Sequence, residues 1–366
     1  MPFDASPYTR AQPIRTGSSR GRLAFKRALR WWRAPLWLFA LLTGAKSFAD
    51  NPILGSKRLN GAGLHVWRLR TAHRLASIRR ACLAHRVSER HKAAFDRDGF
   101  VVVPDALRAE QFDALRSALM EAELECRSQQ QGDTITTRLP VGPELVGRVP
   151  ALAQLLDMPW WTGLMAYVAS TRAKPLYYIQ AIAGGVADGP ADPQLELHSD
   201  TFQPSLKAWL FLTDVAEDGR PLTYVAGSHR LTPERIAWEK RRSVEIDGAD
   251  RLSQRGSLRV KPEELPGLGL PQPTHFAVPA NTLVVADTCG FHARAASDRA
   301  TLRVELWAYS RRSPFLPWTG LDLLSWPPLA IRRAEWLAGI TDWLHRRGWK
   351  KQQWRRAGMW RDVVSF

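Results

Sequence analysis

Two histidines and an aspartate are the residues of this sequence best suited to hold a metal. His198 and Asp200 stand two residues apart in LELHSDTF, and His292 lies in CGFHARA. In a β-strand, residues i and i+2 project from the same face, so the imidazole and the carboxylate would point the same way. A strand that is distant in sequence but adjacent in a barrel could add His292. Two histidines and one carboxylate that leave three positions open are the ligand set of non-haem iron(II) oxygenases. We therefore predict a metal site at His198, Asp200 and His292.

Either histidine could instead be an ordinary core residue, since an HxD pair occurs by chance in many sequences. Arg303 favours the metal interpretation. It lies eleven residues after His292, in TLRVELWAY, where apolar and polar residues alternate. A guanidinium that faces a cavity requires an anionic partner, and a dicarboxylate co-substrate could provide one through two parallel hydrogen bonds. The alternative is an internal ion pair with Glu305 or Asp287.

The elements that must position these residues are short strands. From residue 175 to residue 311 the apolar pattern has a period of two and is divided by Gly/Pro turns, which is typical of a sandwich or barrel. Strands are predicted in PLYYIQAI, PQLELHSD, SLKAWLFLTDV, PLTYVAG, HFAVPA, NTLVVAD and TLRVELWAYS. Residues 231–270 are a charged insertion without a strong pattern. Helical periodicity is present over 64–92 and 109–127.

These motifs resemble the phytanoyl-CoA dioxygenase family of iron(II)- and 2-oxoglutarate-dependent oxygenases. FDRDGFVVVPDAL resembles its opening segment, HSD followed by KAWLFLTDVAEDGRPLTYVAGSHR its central signature, and NTLVVADTCGFHARAASDRATLRVELWAY its distal histidine and arginine strands. The resemblance covers residues 95–311. It implies a mainly β fold, the double-stranded β-helix or jelly-roll of cupins, with flanking helices.

The same resemblance implies roles for particular residues. His198, Asp200 and His292 match the ligands of Fe(2+), with 2-oxoglutarate and O2 as co-substrates. Arg303 matches the arginine that holds the distal carboxylate of 2-oxoglutarate. Tyr178 and Gln180, about one strand before the HxD pair, could contact the other end of the co-substrate, although ordinary strand positions are the alternative for Tyr178.

The charge is unevenly distributed along the chain. The net charge is +17, and residues 1–92 contain 19 Lys/Arg but only three acidic residues. We predict three parts: a basic extension over 1–92 with a disordered start, an oxygenase domain over 93–312, and a basic, Trp-rich helical extension over 313–366.

The basic extension is expected to lie on an anionic membrane surface. Residues 23–45 are basic, then aromatic, then apolar, and the apolar run of nine residues over 34–42 is shorter than the ~20 that a spanning helix requires. Such a segment suits a lipid interface better than nucleic acid. The Trp-rich tail has the same character, with packing on the barrel as the alternative. Three unpaired cysteines favour a reducing compartment, so the expected location is cytoplasmic with peripheral membrane attachment.

These features predict a dioxygenase that hydroxylates an unactivated C–H bond of a small, lipid-like molecule. One alternative is a metal-dependent hydrolase or isomerase on a cupin-like barrel, which gives Arg303 no role. The other is a non-catalytic membrane-binding protein on an oxygenase scaffold. Release of succinate separates the first hypothesis from the other two.

Overall fold

The computed structural model describes residues 33–320 and 326–364. The predicted disorder of residues 1–22, and the part of the predicted interfacial segment that precedes residue 33, lie outside these ranges. No helix within them is long and apolar enough to cross a bilayer.

Helices flank the sheets on both sides and at both ends of the chain. In the described ranges they are α1 (Ala34–Ala40), α2 (Lys57–Gly61), α3 (Leu64–Leu83), α4 (Glu89–Asp98), α5 (Ala109–Met120), α6 (Pro143–Arg148), α7 (Pro150–Asp157), α8 (Pro159–Ala169), α9 (Pro233–Val244), α10 (Arg251–Gln254), α11 (Pro327–Ala330), α12 (Arg333–Arg346) and α13 (Trp360–Val364).

The strands form two antiparallel sheets. They are β1 (Phe100–Val103), β2 (Glu125–Gln131), β3 (Thr134–Pro140), β4 (Leu176–Gly184), β5 (Leu206–Phe211), β6 (Leu222–Tyr224), β7 (Thr274–His275), β8 (Leu283–Asp287), β9 (His292–Arg294), β10 (Thr301–Ser310) and β11 (Arg355–Met359). The larger sheet has the order β1-β8-β5-β10-β4-β3-β2-β11, and the smaller has the order β7-β6-β9. His198 extends the smaller sheet through single bridges to His292 and Arg259. The predicted double-stranded β-helix with flanking helices is confirmed.

Strand β10 lies in the middle of the larger sheet and separates the core from the interior of the barrel. It pairs with β4 on one side and with β5 on the other. Val304, Leu306 and Ala308 are buried in the main hydrophobic cluster. The intervening residues, including Arg303 and Trp307, face a cavity between the sheets. The alternation seen in the sequence therefore decides which side chains reach that cavity.

The region before residue 93 packs against the strands. Leu69, Ala72 and Leu83 of α3 are buried, and Arg80 Nη2 lies 2.7 Å from the buried carboxylate of Asp287 at the end of β8. A carboxylate withdrawn from water in this way requires its cationic partner. Helix α3 is therefore part of the same packed body, and the domain boundary at residue 92 stays a prediction.

The tail contains both buried and exposed tryptophans. Strand β11 pairs with β2 at the sheet edge, and the indole N–H of Trp360 donates to the Leu119 carbonyl at 2.9 Å from a fully buried position. Trp336, Trp343 and Trp349 remain exposed. Packing on the barrel thus accounts for the end of the tail, whereas the tryptophans of α12 and its following turn face outward.

Two predicted elements differ from the structure near the HxD pair and in the first half of the chain. The stretch predicted as the strand PQLELHSD begins as a 3₁₀ turn, Pro193–Leu195, because the Asp192 carboxylate accepts the Gln194 N–H at 2.9 Å. Strands β2 and β3 were not predicted, and the helix expected over 109–127 ends at Met120. The polar sequence of β2, ECRSQQQ, has no apolar alternation that could reveal a strand.

The charged insertion over 231–270 also contains an unpredicted helix, α9. The Thr232 hydroxyl accepts the Arg235 N–H at 3.1 Å, and Pro233 occupies the first turn. The helix is anchored by buried Trp238 and Glu239. The Thr-Pro-Glu sequence is a helix start signal, so the start of α9 can be predicted from the sequence.

Candidate metal centre

The structure brings His198, Asp200 and His292 together at the open end of the smaller sheet. Their possible ligand atoms all lie within 4.8 Å of one another. His198 Nε2 is 3.8 Å from Asp200 Oδ1, and His292 Nε2 is 3.7 Å from Asp200 Oδ2. Nitrogen and oxygen ligands held at ~2.0–2.2 Å around one ion lie roughly 3 Å apart. A small inward adjustment would therefore let all three atoms bind one metal.

Backbone carbonyls fix the orientation of both rings. His198 Nδ1 lies 2.7 Å from the Glu196 carbonyl oxygen, and His292 Nδ1 lies 3.0 Å from that of Gly290. A carbonyl can only accept, so Nδ1 carries the proton in each ring and Nε2 presents its lone pair. Within the described part of the chain, the buried His292 Nε2 has no hydrogen-bond partner. That unpaired nitrogen is the atom a metal would satisfy.

The protonation states suit a metal site. Burial lowers the pKa of His292 to about 4. Burial, reinforced by the neighbouring His292, lowers the pKa of His198 well below its usual value. Burial alone would raise the pKa of Asp200, but the Lys207 ammonium, helped by the two neighbouring imidazoles, holds it far below its usual value. Neutral imidazoles and an ionised carboxylate are the forms that bind divalent metals.

Arg303 lines the same cavity, which has a volume of about 340 Å³. Its Nε donates to Glu305 Oε2 at 2.8 Å, and its Nη1 donates to the Arg220 carbonyl at 2.9 Å. The internal ion pair with Glu305 is therefore present, whereas Asp287 is paired with Arg80. The two contacts occupy only part of the guanidinium, and its position in the cavity wall leaves the remainder available to a carboxylate.

Gln180 and Tyr178 occupy different surroundings, although both face the same side of β4. Gln180 lines the cavity, donates to Glu305 Oε1 at 2.7 Å and accepts from Arg138 Nε at 2.6 Å. Tyr178 lines a neighbouring pocket, where its ring packs against Trp307. A direct co-substrate contact thus stays a prediction for both residues, and Tyr178 touches the cavity wall through Trp307.

Residues 95–257 match the phytanoyl-CoA dioxygenase family. The resemblance predicted from the sequence is thereby confirmed over the segment that contains His198 and Asp200. His292 and Arg303 lie beyond the matched segment, and the geometry described above joins them to it. No curated protein sequence matches the chain.

Solved structures of modest similarity include an epimerase, a carbocyclase and HygX. The non-haem α-ketoglutarate-dependent epimerase SnoN from nogalamycin biosynthesis is 21% identical, with a TM-score of 0.38, and the match covers 66% of this chain and 92% of that one. The carbocyclase SnoK from the same biosynthesis is 18% identical, with a TM-score of 0.39 and coverages of 61% and 83%. HygX from Streptomyces hygroscopicus, with nickel and 2-oxoglutarate bound, is 16% identical, with a TM-score of 0.39 and coverages of 61% and 87%.

The sequence motifs did not identify several residues that line the cavity beside the candidate metal ligands. Arg138 of β3 stacks between two indoles, its guanidinium carbon 4.2 Å from the Trp307 ring and 4.5 Å from the Trp354 ring. Each such contact stabilises a desolvated cation. Trp354 belongs to the tail, which therefore supplies one wall of the cavity. The polar sequence around Arg138 carries no signal that could have indicated this.

Two lysines lie beside the candidate ligand Asp200. Lys207 Nζ is 2.6 Å from Asp200 Oδ2, and Lys46 donates to the backbone carbonyl of Asp200. Burial lowers the pKa of Lys46 to about 8, the charge of Asp200 opposes this shift, and Arg311 and Lys207 add to it. Lys207 and Trp209 share a face of β5 and both line the cavity. Lys46 comes from the basic extension, where nothing in the sequence pattern marked it as part of a site.

Proposed function

We propose that this protein is an Fe(II)- and 2-oxoglutarate-dependent dioxygenase that hydroxylates an unactivated C–H bond of a small molecule. The observation that carries the proposal is the convergence of the His198 and His292 Nε2 atoms and the Asp200 carboxylate in a cavity that Arg303 also lines. The match of residues 95–257 to the phytanoyl-CoA dioxygenase family supports it.

In this proposal the three side chains hold the metal on one face. His198 and His292 provide neutral nitrogens, and Asp200 provides the negative charge that favours a divalent cation. The bound iron and 2-oxoglutarate supply the oxidising chemistry, with O2 as the second co-substrate. The protein fixes the ligands through the Glu196 and Gly290 carbonyls, which hold the imidazoles in the ligating tautomer.

Arg303 would anchor the distal carboxylate of 2-oxoglutarate. Its guanidinium is held on two sides by Glu305 and the Arg220 carbonyl, so it does not reorganise when the carboxylate arrives. A planar, fixed fork matches two carboxylate oxygens better than a flexible ammonium does. The Glu305 charge also lowers the cost of burying the arginine before the co-substrate binds.

The decisive experiment is a 2-oxoglutarate turnover assay on the iron-loaded protein. Succinate formation is expected in the wild type and is expected to be absent in His198→Ala and Asp200→Ala. His275→Ala is the matched control, because His275 is an exposed histidine of the smaller sheet. Metal binding without consumption of 2-oxoglutarate under any condition would refute the proposal.

A metal-dependent hydrolase or isomerase on the same barrel is the second candidate. The Arg303–Glu305 ion pair favours it, because that pair gives the arginine a partner without any co-substrate. This candidate requires no 2-oxoglutarate binding. A calorimetric titration of the nickel-loaded protein with 2-oxoglutarate therefore separates the two, since only the dioxygenase is expected to bind it.

We also propose that the substrate is lipid-like and that the protein binds to an anionic membrane surface without crossing it. Leu36, Leu38, Phe39 and Leu42, in and after α1, are all more than half exposed. Large apolar side chains that lie side by side on a surface are typical of an interaction site. The 19 basic residues of the N-terminal extension supply the complementary charge for anionic lipid headgroups.

A further inference from the structure

Basic side chains dominate the cavity of the candidate metal centre. The lining contains six of them: Lys46, Arg138, Lys207, Arg294, Arg303 and Arg311. Asp200 is the single acidic side chain among the described residues that line it. A buried cavity with this imbalance requires anions to enter it.

Two of the arginines already have acidic partners behind the cavity wall. Arg294 is paired with the buried Asp192, and Arg303 with the buried Glu305. Such pairs are locally neutral. They reduce the positive charge at one end of the cavity. They do not neutralise the other basic residues that line it.

Arg138 is stacked between Trp307 and Trp354, and the rest of the excess is concentrated near Asp200. We define the basic cluster as Lys46, Lys207 and Arg311. Lys46 and Lys207 both contact Asp200. Lys207 pairs with Tyr309 across the β5–β10 ladder, and Arg311 follows Tyr309 by two residues on the same side of the chain. Within the described ranges Arg311 forms no ion pair. When a divalent metal engages Asp200, the cluster loses its one nearby anion.

A co-substrate held by Arg303 would not reach the Arg311 end of this cluster. Arg303 and Tyr309 are six residues apart on β10, which corresponds to roughly 20 Å along an extended strand. A five-carbon dicarboxylate held between Arg303 and the metal is much shorter than that. Its second carboxylate would face the metal, so the Arg311 end of the cavity would stay positive.

We propose that the primary substrate carries a phosphate group, which Lys46, Lys207 and Arg311 bind while 2-oxoglutarate occupies Arg303. This inference rests on the proposed function and specifies its substrate class. Compact lysine ammonium groups suit the tetrahedral distribution of phosphate oxygens, and one arginine adds directed hydrogen bonds. Lys207 lies on strand β5, so a phosphate bound to it would be held close to the neighbouring candidate ligand Asp200.

The phosphate could belong to a lipid headgroup or to a soluble phosphate ester. The position of Lys46 connects the cluster to the exposed apolar surface, because only residues 43–45 separate it from Leu42. Arg68 holds that connection in place by donating to the carbonyls of Leu41, Thr43 and Ala45 at 3.0, 2.9 and 2.7 Å. A headgroup at a membrane surface and a free ester offer the same anion, so the experiment includes both.

The test is calorimetry on the full chain loaded with nickel(II) and 2-oxoglutarate. The soluble probe is glycerol 3-phosphate, compared with glycerol, and the lipid probe is vesicles with phosphatidic acid, compared with phosphatidylcholine alone. At least one phosphate probe is expected to bind, without release of radiolabelled 2-oxoglutarate. Saturable binding of glycerol 3-phosphate identifies a soluble ester. Binding of the phosphatidic acid vesicles alone identifies a headgroup only if substitutions in the basic cluster weaken it.

Substitutions in the basic cluster test whether the phosphate probe binds there. Lys46→Gln and Arg311→Gln are each expected to lower the affinity for the phosphate probe roughly tenfold or more, since each removes one charge-assisted contact. Lys57→Gln, an exposed lysine of α2, is the matched control and should bind as the wild type does. Arg311 is exposed, so its replacement tests the proposal even where Lys46→Gln fails to fold.

The inference and the proposed function fail in different ways. Absence of phosphate binding, displacement of 2-oxoglutarate by phosphate, or unchanged affinity in both variants overturns the inference. If succinate is still formed in those cases, the proposed function stands. Failure of nickel or 2-oxoglutarate to bind overturns the proposed function instead.

Discussion

His198 and His292 hydrogen-bond to each other through their backbones. The N–H of His198 donates to the His292 carbonyl at 3.0 Å, and the N–H of His292 donates to the His198 carbonyl at 2.9 Å. Their ring centroids are 4.6 Å apart. This closely bonded antiparallel pair fixes the separation of two candidate ligands by main-chain geometry, so the histidine half of the site does not depend on flexible loops.

Removal of one ligand is expected to abolish metal binding. His292→Ala deletes a nitrogen whose Nε2 atom has no other partner in the described chain, and affinity for iron(II) or nickel(II) should fall at least 100-fold because a ligand of the first coordination sphere is lost. Isothermal titration with nickel(II) measures this. His275→Ala should retain wild-type affinity, and equal affinity in His292→Ala would exclude it as a ligand.

Replacement of Arg303 should affect the co-substrate and spare the metal. Arg303→Lys keeps a positive charge but loses the planar fork, so the KM for 2-oxoglutarate should rise about tenfold or more while nickel affinity is unchanged. Succinate release at varied 2-oxoglutarate concentrations measures the effect. Arg116→Lys, at an exposed position of α5, serves as the control. An unchanged KM in Arg303→Lys would contradict the assignment.

A buried ion-pair network in α9 should make stability depend on pH. Glu239 is fully buried, 2.9 Å from Arg235 Nη2 and 2.8 Å from His65 Nε2. Burial opposes ionisation, but Arg235 and His65 lower the pKa of Glu239 from 4.5 to about 2. The folded-state pKa is below the unfolded value, so the stabilisation is complete above pH 4.5 and is lost as the pH falls toward 2.

Urea unfolding between pH 6 and pH 3 checks this linkage. Glu239→Gln should lower the free energy of unfolding by about 3 kcal/mol at pH 6, since a buried cation loses its partner. Its stability should also fall less steeply with acidification than that of the wild type. Glu263→Gln, an exposed carboxylate, is the control. Parallel pH profiles for wild type and Glu239→Gln would show that the linkage is absent.

The exposed residues of α1 should control membrane binding. Leu38→Ser combined with Phe39→Ser removes two large side chains that are 56% and 68% exposed. Partition onto anionic vesicles should fall about tenfold or more, because each buried side chain of this size contributes on the order of 1–2 kcal/mol. Flotation with vesicles measures it, and added salt should weaken wild-type binding. Ile78→Ser, exposed on α3, is the control, and retention of the double variant by the vesicles would contradict the proposal.

The end of the tail should contribute to the stability of the barrel. Trp360→Ala removes a fully buried indole and its hydrogen bond to Leu119, and the free energy of unfolding should fall by about 3–5 kcal/mol. Trp349→Ala, at an exposed tryptophan of the same tail, should change it by less than about 0.5 kcal/mol. Equal effects of the two substitutions would show that Trp360 does not pack as described.

The sequence by itself determined the ligand types and the faces of the main strands. The HxD spacing and the distal histidine gave the donor set, and the alternation in β10 assigned Arg303 to the polar face. Period-two patterning is a local property: it records which side of a strand is buried, and it is readable wherever apolar and polar residues alternate. The family resemblance added the double-stranded β-helix fold.

Only the tertiary structure decided which distant segments complete the cavity. Lys46 reaches Asp200 because Arg68 holds the preceding carbonyls in place, and Trp354 covers Arg138 because β11 pairs with β2. Neither contact has a local pattern, since β2 and the edge strand β11 lack apolar alternation and residues 43–46 form no regular element. Such contacts join side chains that are far apart in sequence and become neighbours only when the elements pack. A local periodicity therefore does not predict them.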